Sequence, residues 1–211
     1  MKRELKQIRP EDAAKWARVD GRGLETFFES VAGKHPLRDE VVFLCIGSDR
    51  STGDSLGPLA GSMLREKGFP RVTGTLEQPC DSEQVGPILA TLSEAACVIA
   101  IDACLGRSES TGLYLVRSGP LQPGQAIGQQ LPPVGDYSVA AVVNTQGHKP
   151  YWIIQTTSLY RVIGMAQGIA DAAAAAWPAA SSDMPEEGGT GGGQFGFASR
   201  SASSRRDNDA S

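Results

Sequence analysis

The sequence predicts an α/β fold, a parallel or mixed sheet covered on both faces by helices. Three observations carry this. The runs Val41-Val42-Phe43-Leu44-Cys45-Ile46 and Cys97-Val98-Ile99-Ala100-Ile101 are apolar at every position, the pattern of strands buried on both faces. Around them lie segments whose apolar residues recur at helical spacing, and strands alternating with helices build sheets of this kind. Charge agrees: residues 41–177 hold 19 of the 44 charged side chains, so the middle of the chain is the folded core and the ends are solvated.

In chain order, residues 1–23 read as a charged N-terminal arm. Leu24, Phe27, Phe28 and Val31 predict a short amphipathic helix over 24–33. The strand at 41–46 is closed by Gly47, and a polar loop runs to Gly57. Pro58 suits the first turn of a helix that continues to about Lys67. A short strand is expected over 71–76 and a helix over 84–94. The next strand, 97–101, ends at Asp102. Residues 112–117 alternate and suit an edge strand. Residues 137–143 and 151–155 are further strand candidates, the first also compatible with helix. The longest helix spans 157–177, with Leu159, Val162, Ile163, Ala166, Ile169 and Ala170 along one stripe and Pro178 to stop it. The domain is therefore placed at 24–177. Residues 178–211 hold six glycines between Gly188 and Gly196 and show no hydrophobic period. Such a segment buries too little apolar surface to offset its ordering entropy, and it reads as a disordered tail.

Composition narrows the function. The formal net charge of −4 leaves no basic excess for holding nucleic acid through its phosphates. No apolar run approaches the ~18 residues of a membrane span. Met1-Lys2-Arg3-Glu4-Leu5-Lys6 has no apolar stretch behind it, so no secretory signal is expected and the location reads as cytoplasmic. The four cysteines form no CxxC pair, which argues against a zinc ribbon, and structural disulfides are not expected in a reducing compartment. The loop at 47–58 lacks the Gly-Lys-Ser/Thr of a phosphate-binding loop and the GxGxxG fingerprint. No organic cofactor is expected.

In α/β sheets ligands bind outside the carboxyl ends of the strands. Two acidic positions fall there. One is the loop Gly47-Ser48-Asp49-Arg50-Ser51-Thr52-Gly53-Asp54-Ser55-Leu56-Gly57, and the other is Asp102. Each has a structural alternative: Asp54 as a helix N-cap, Asp49 in an Asx-turn, Asp102 as a cap or a partner of Arg107. If the strands at 41–46 and 97–101 are neighbours, Asp54 and Asp102 converge on one cleft. Two close carboxylates cannot easily both ionise. Such a pair can activate water and protonate a leaving group, or it can hold a divalent metal. Cys80 and Asp81 end the strand at 71–76 and, with Cys104, could reach the same cleft. His148 is the sole histidine of the core and sits in a polar loop; His35 precedes Pro36 and reads as linker.

These residues resemble a known family. Cys45-Ile46-Gly47-Ser48-Asp49-Arg50-Ser51-Thr52-Gly53-Asp54-Ser55-Leu56-Gly57-Pro58 is similar to the signature of the YyaC family of sporulation proteins. So are Val98-Ile99-Ala100-Ile101-Asp102-Ala103-Cys104-Leu105-Gly106, Pro133-Val134-Gly135-Asp136-Tyr137-Ser138 and Val142-Val143-Asn144. More distantly, Asp54-Ser55-Leu56-Gly57-Pro58 and Ile101-Asp102-Ala103 resemble segments of the spore germination protease, and through it the hydrogenase-maturation proteases. The resemblance implies a phosphorylase/hydrolase-like three-layer α/β/α sandwich with about five strands, and Asp54 and Asp102 as the catalytic pair. It places Asp49, Arg50, Ser51, Thr52, Gly53, Cys80, Asp81 and Asp136 around the cleft. Two positions depart from the pattern: Gly53 stands where the germination protease has Pro, and Asp81 where relatives carry His. For a metal of the hydrogenase-maturation type, His148 alone could supply the histidine ligand. Two functions follow as expectations. One is a peptidase acting on a spore or forespore protein through an aspartate pair. The other is a non-catalytic sporulation protein that binds a partner protein or divalent metal at the same cleft.

Overall fold

The centre of the fold is a strand pair that the apolar runs anticipate. Strand β2 (Val41–Cys45) runs parallel to β4 (Cys97–Gly106), with Val41 opposite Cys97 and Cys45 opposite Ile101. The computed structural model describes residues 15–81, 84–90, 97–124 and 132–179. Around the central pair stand β1 (Ala17–Val19), β3 (Val72–Thr73), β5 (Tyr114–Ser118) and β6 (Tyr137–Thr145). The order across the sheet is β1-β5-β6-β4-β2-β3. The β2·β3, β2·β4 and β4·β6 pairs are parallel, and β1·β5 and β5·β6 are antiparallel. The sheet is thus mixed and mostly parallel, with six strands among the described residues where about five were expected.

Successive strand residues point to opposite faces, and this splits each apolar run between two cores. Val41, Phe43, Cys45, Ile99, Ile101, Val139 and Ala141 face helices α1 (Gly21–Ala32), α2 (Leu56–Glu66) and α5 (Leu159–Ala176). Val42, Leu44, Ile46, Val98 and Ala100 face the other way, against Val85 and Ile88 of the short helix α3 (Val85–Leu89) and against Leu121 and Val134. One face is thickly covered. Among the described residues the other is covered by the short helix α3 and by Leu121 and Val134, and that is the face onto which Asp102 turns, in phase with Val98 and Ala100.

The differences from expectation have local causes. Helix α1 starts at Gly21 because Asp20 caps it, its Oδ1 accepting from the Gly23 N–H at 2.9 Å. The segment read as an arm supplies β1, which pairs with β5, so β5 is an interior strand and not an edge. The strand expected over 71–76 shortens to two residues; of the helix expected over 84–94, Val85–Leu89 is helical, and residues 91–96 lie outside the described residues. Residues 151–155 form helix α4 (Pro150–Gln155), with Pro150 in its first turn. Of the arm expected over 1–23, residues 1–14 lie outside the described residues, as do residues 180–211 of the tail expected over 178–211.

Helix α2 lies flush on the sheet through Gly57. A Cβ there would stand 2.0 Å from the Ile46 carbonyl oxygen, closer than any side chain tolerates. At the opposite end of the domain Trp177 is fully buried. Its ring meets Phe28, Phe43 and Phe69. Its indole N–H donates to the His35 carbonyl at 2.8 Å, and its own carbonyl accepts from Arg38 Nε at 2.9 Å.

Candidate functional site

Asp102 sits within β4, not at its end. The strand continues to Gly106 because β6 pairs with it that far, with a register irregularity at Cys104/Leu105. What ends beside Asp102 is β2, whose last pair is Cys45 with Ile101. The Ile46 N–H still donates to the Ile101 carbonyl at 2.8 Å, and the chain then turns away into the loop 47–55. This opens the sheet on one side of Asp102, at the carboxyl end of β2.

Asp54 comes from that loop. It does not cap α2: the N-cap is Ser55, which makes no side-chain capping bond and donates its hydroxyl to the Thr52 carbonyl at 2.7 Å. Burial raises the Asp54 pKa above the ordinary 3.8, while nearby Ser51 lowers it. Ser51 is 8 % exposed, and its hydroxyl oxygen is buried. It meets no partner at hydrogen-bonding geometry among the described residues, yet it lies close enough to favour the Asp54 carboxylate.

Asp102 is more strongly perturbed. Burial is the main cause of a pKa pushed up to about 8, and the Asp54 charge adds to it. The Ala103 N–H, donating to Asp102 Oδ1 at 2.7 Å, and the Gly124 N–H act in the opposite direction. The residue as a whole keeps some accessible surface, while burial keeps its carboxyl largely protonated at neutral pH. The alternative partner Arg107 lies 3.9 Å from Glu109 instead.

The structure gathers some of the expected residues and separates others. Cys80 is buried and bridges Ile46 in parallel. Its thiol is pushed up to about 12 by burial, then by Asp81 and Asp102. Cys104, on the Asp102 face of β4, is also pushed up to about 12, by burial and by Asp102. Both thiols are therefore protonated and poor nucleophiles. Asp81 accepts from the Gln84 N–H at 3.2 Å ahead of α3. Gly53 is buried beneath α4, while Asp49 and Arg50 are exposed at the loop's tip. Asp136 is not in the cleft. Its carboxylate accepts from the Val98 N–H at 2.9 Å, and its own N–H donates to the Val98 carbonyl at 2.7 Å. That fastens it near the amino end of β4, four residues or about 13 Å of strand from Asp102. His148 is exposed in the loop before α4.

Two contributors escape a reading of the sequence. Gly124 approaches Asp102 from a loop whose Leu121 and Val134 pair as an isolated antiparallel bridge. Helix α4 props the Asp54 loop: the Gly53 N–H donates to the Ile154 carbonyl at 2.8 Å. Asn144 holds that helix in place, donating to the Thr157 hydroxyl at 3.2 Å. Pro150 was the available signal for α4. Nothing local marks Gly124.

Among the described residues no group of three or more His, Cys, Asp or Glu is placed to hold a metal ion.

The chain thus forms a mixed α/β sheet in which the charge of Asp54 acts on Asp102 beside the carboxyl end of β2. The chain belongs to the family described as protein of unknown function (DUF1256), whose model matches residues 20–172. It is 40% identical over 154 residues to the uncharacterized protein YyaC of Bacillus subtilis (strain 168), covering 70% of this chain and 72% of that relative. Among solved structures it is similar to the NiFe hydrogenase maturation protease HycI from Thermococcus kodakarensis KOD1, at 19% identity and a TM-score of 0.41, over 63% of this chain and 91% of that one. It is also similar to HybD from Thermococcus kodakarensis, at 15% identity and a TM-score of 0.41, over 63% and 95%. No helix among the described residues is long and apolar enough to cross a membrane.

Proposed function

We propose that this protein is an aspartate-dependent peptidase acting on a spore or forespore protein. The observation that carries the chemistry is the unequal environment of two coupled carboxyls. Asp102 is held protonated to about pH 8, and its pKa is raised in part by the charge on Asp54. Asp54 is shifted in the same direction but has Ser51 on the side of its ionised form. At neutral pH the pair keeps one proton, and Asp102 is its holder.

The roles follow. Ionised Asp54 takes a proton from water as the oxygen attacks the peptide carbonyl. Asp102 donates its proton to the departing amide nitrogen. The products are a carboxylic acid and an amine, with the pair again carrying one proton. No step calls on a thiol, a histidine or a metal. The sporulation setting rests on the motif resemblance of the loop at 45–58 and of residues 98–106.

The test compares wild type, Asp54→Asn and Asp102→Asn, each incubated with an extract of spores. Peptidase activity requires that wild type cleave a spore protein and that each variant lose at least a hundredfold in rate. Absence of cleavage by wild type, or equal cleavage by all three, sinks the proposal.

A further inference from the structure

Among the described residues strand β3 is the last strand of the sheet, and Val72 and Thr73 pair with β2 alone. The Phe43 N–H donates to the Arg71 carbonyl at 3.0 Å. In a parallel ladder alternate residues face the neighbouring strand, so Val72 presents its N–H and carbonyl outward. Arg65 Nη2 meets that carbonyl at 3.4 Å. Alongside lies a groove of about 490 Å³, within the size range of ligand sites. Its floor and walls include Val72, Thr75, Gln78 and Gln84, and among the described residues its lining carries one cation, Arg65, and no carboxylate. Arg65 is exposed and forms no ion pair among the described residues. At the inner side stands Cys80, which lines the groove and also feels the charge of Asp102. One wall therefore serves both the groove and the carboxylate pair.

We propose that this groove receives an extended peptide segment that lies along β3 and bears a carboxylate, which Arg65 binds. An edge strand is a template for an added strand; here β3 offers the outward N–H of Val72, whose carbonyl accepts from Arg65. Charge complementarity selects the occupant, because Arg65, the cation of the described lining, has no carboxylate partner among the described residues. The carboxylate is an Asp or Glu side chain or a free C-terminus. The proposal rests on the peptidase reading only for the fate of the peptide once bound.

The experiment measures fluorescence anisotropy of labelled octapeptides of alanine, valine and serine. One set carries a single Glu, Gln or Lys at each position with an amidated C-terminus; another is neutral with a free C-terminal carboxylate. They are titrated against the full chain carrying Asp102→Asn, with and without Arg65→Glu or Arg65→Gln. A carboxylate peptide is expected to bind at least tenfold tighter than its Gln and Lys counterparts. Arg65→Gln should abolish that preference, and Arg65→Glu should turn it towards Lys. Preference for internal Glu or for the free C-terminus identifies the source. Equal affinity for all charges, no binding at millimolar peptide, or an unchanged preference in both Arg65 variants overturns the proposal. Binding without cleavage by wild type sinks the peptidase reading and leaves the groove. Cleavage at a rate unaffected by Arg65→Glu does the reverse.

Discussion

The backbone N–H of Gly53 donates to the carbonyl of Ile154 at 2.8 Å, one residue before Asp54. The contact is so close that a Cβ on residue 53 would stand 2.5 Å from Ile154 Cγ1 and 2.6 Å from the Ile154 carbonyl oxygen. The orientation of the Asp54 loop thus depends on a helix about a hundred residues further along the chain.

Gly53→Ala should therefore force the loop and α4 apart. Overpacking at such a contact costs about 1–3 kcal/mol. The urea midpoint should fall accordingly, and any peptidase activity should fall further than stability does. An unchanged midpoint would show that the loop relaxes at no cost.

Asp102 should make the protein less stable as pH rises. Its pKa is about 8 in the fold against an ordinary 3.8. Between those values the native state keeps a proton that the unfolded chain releases, so unfolding stability declines across the window and levels off above it. Asp102→Asn removes the slope and should gain a few kcal/mol at pH 8, and little at pH 4, by linkage. Urea denaturation of both proteins from pH 4 to 9 checks this. Parallel pH profiles would contradict it.

Peptidase activity should be bell-shaped in pH. The acidic limb reports protonation of Asp54, at a pKa above the ordinary 3.8. The basic limb reports loss of the Asp102 proton near 8. Ser51→Ala should move the acidic limb upward, because it removes the neighbour that favours the ionised Asp54. Rates of wild type and Ser51→Ala measured between pH 3 and 10 decide the matter.

The carboxyl boundary of the domain should fall just after Trp177. Its indole and carbonyl fasten it to His35 and Arg38, and its ring fills the core beside Phe28, Phe43 and Phe69. Trp177→Ala should cost about 3–5 kcal/mol. A chain trimmed to residues 15–179 should keep the Tm of the full chain, whereas one trimmed to 15–176 should lose it. Thermal melts of the three proteins test the boundary.

Much of the fold was legible where a local pattern coincides with a tertiary role. The runs at 41–46 and 97–101 had to be doubly buried strands, and their parallel pairing follows from the helices between them. The stripe on 159–176 had to face a core. Legibility failed where pairing overrode local chemistry. Asp102 reads as a strand end because a carboxylate is a poor interior residue, but hydrogen bonding to β6 carries β4 four residues past it. Tyr151-Trp152-Ile153-Ile154 reads as strand because its side chains favour one, but no edge of the sheet is there to receive it, and Pro150 starts a helix.

The sequence by itself determined the alternation of strands and helices, the acidic loop and the identity of the two aspartates, because each is written in adjacent residues. The tertiary structure decided which acids share a neighbourhood. It ties Asp136 to Val98, near the amino end of β4, and it lets Asp54 act on Asp102 across 47 intervening residues. Register and strand order set such distances. They arise from long-range pairing that no short stretch of the chain encodes.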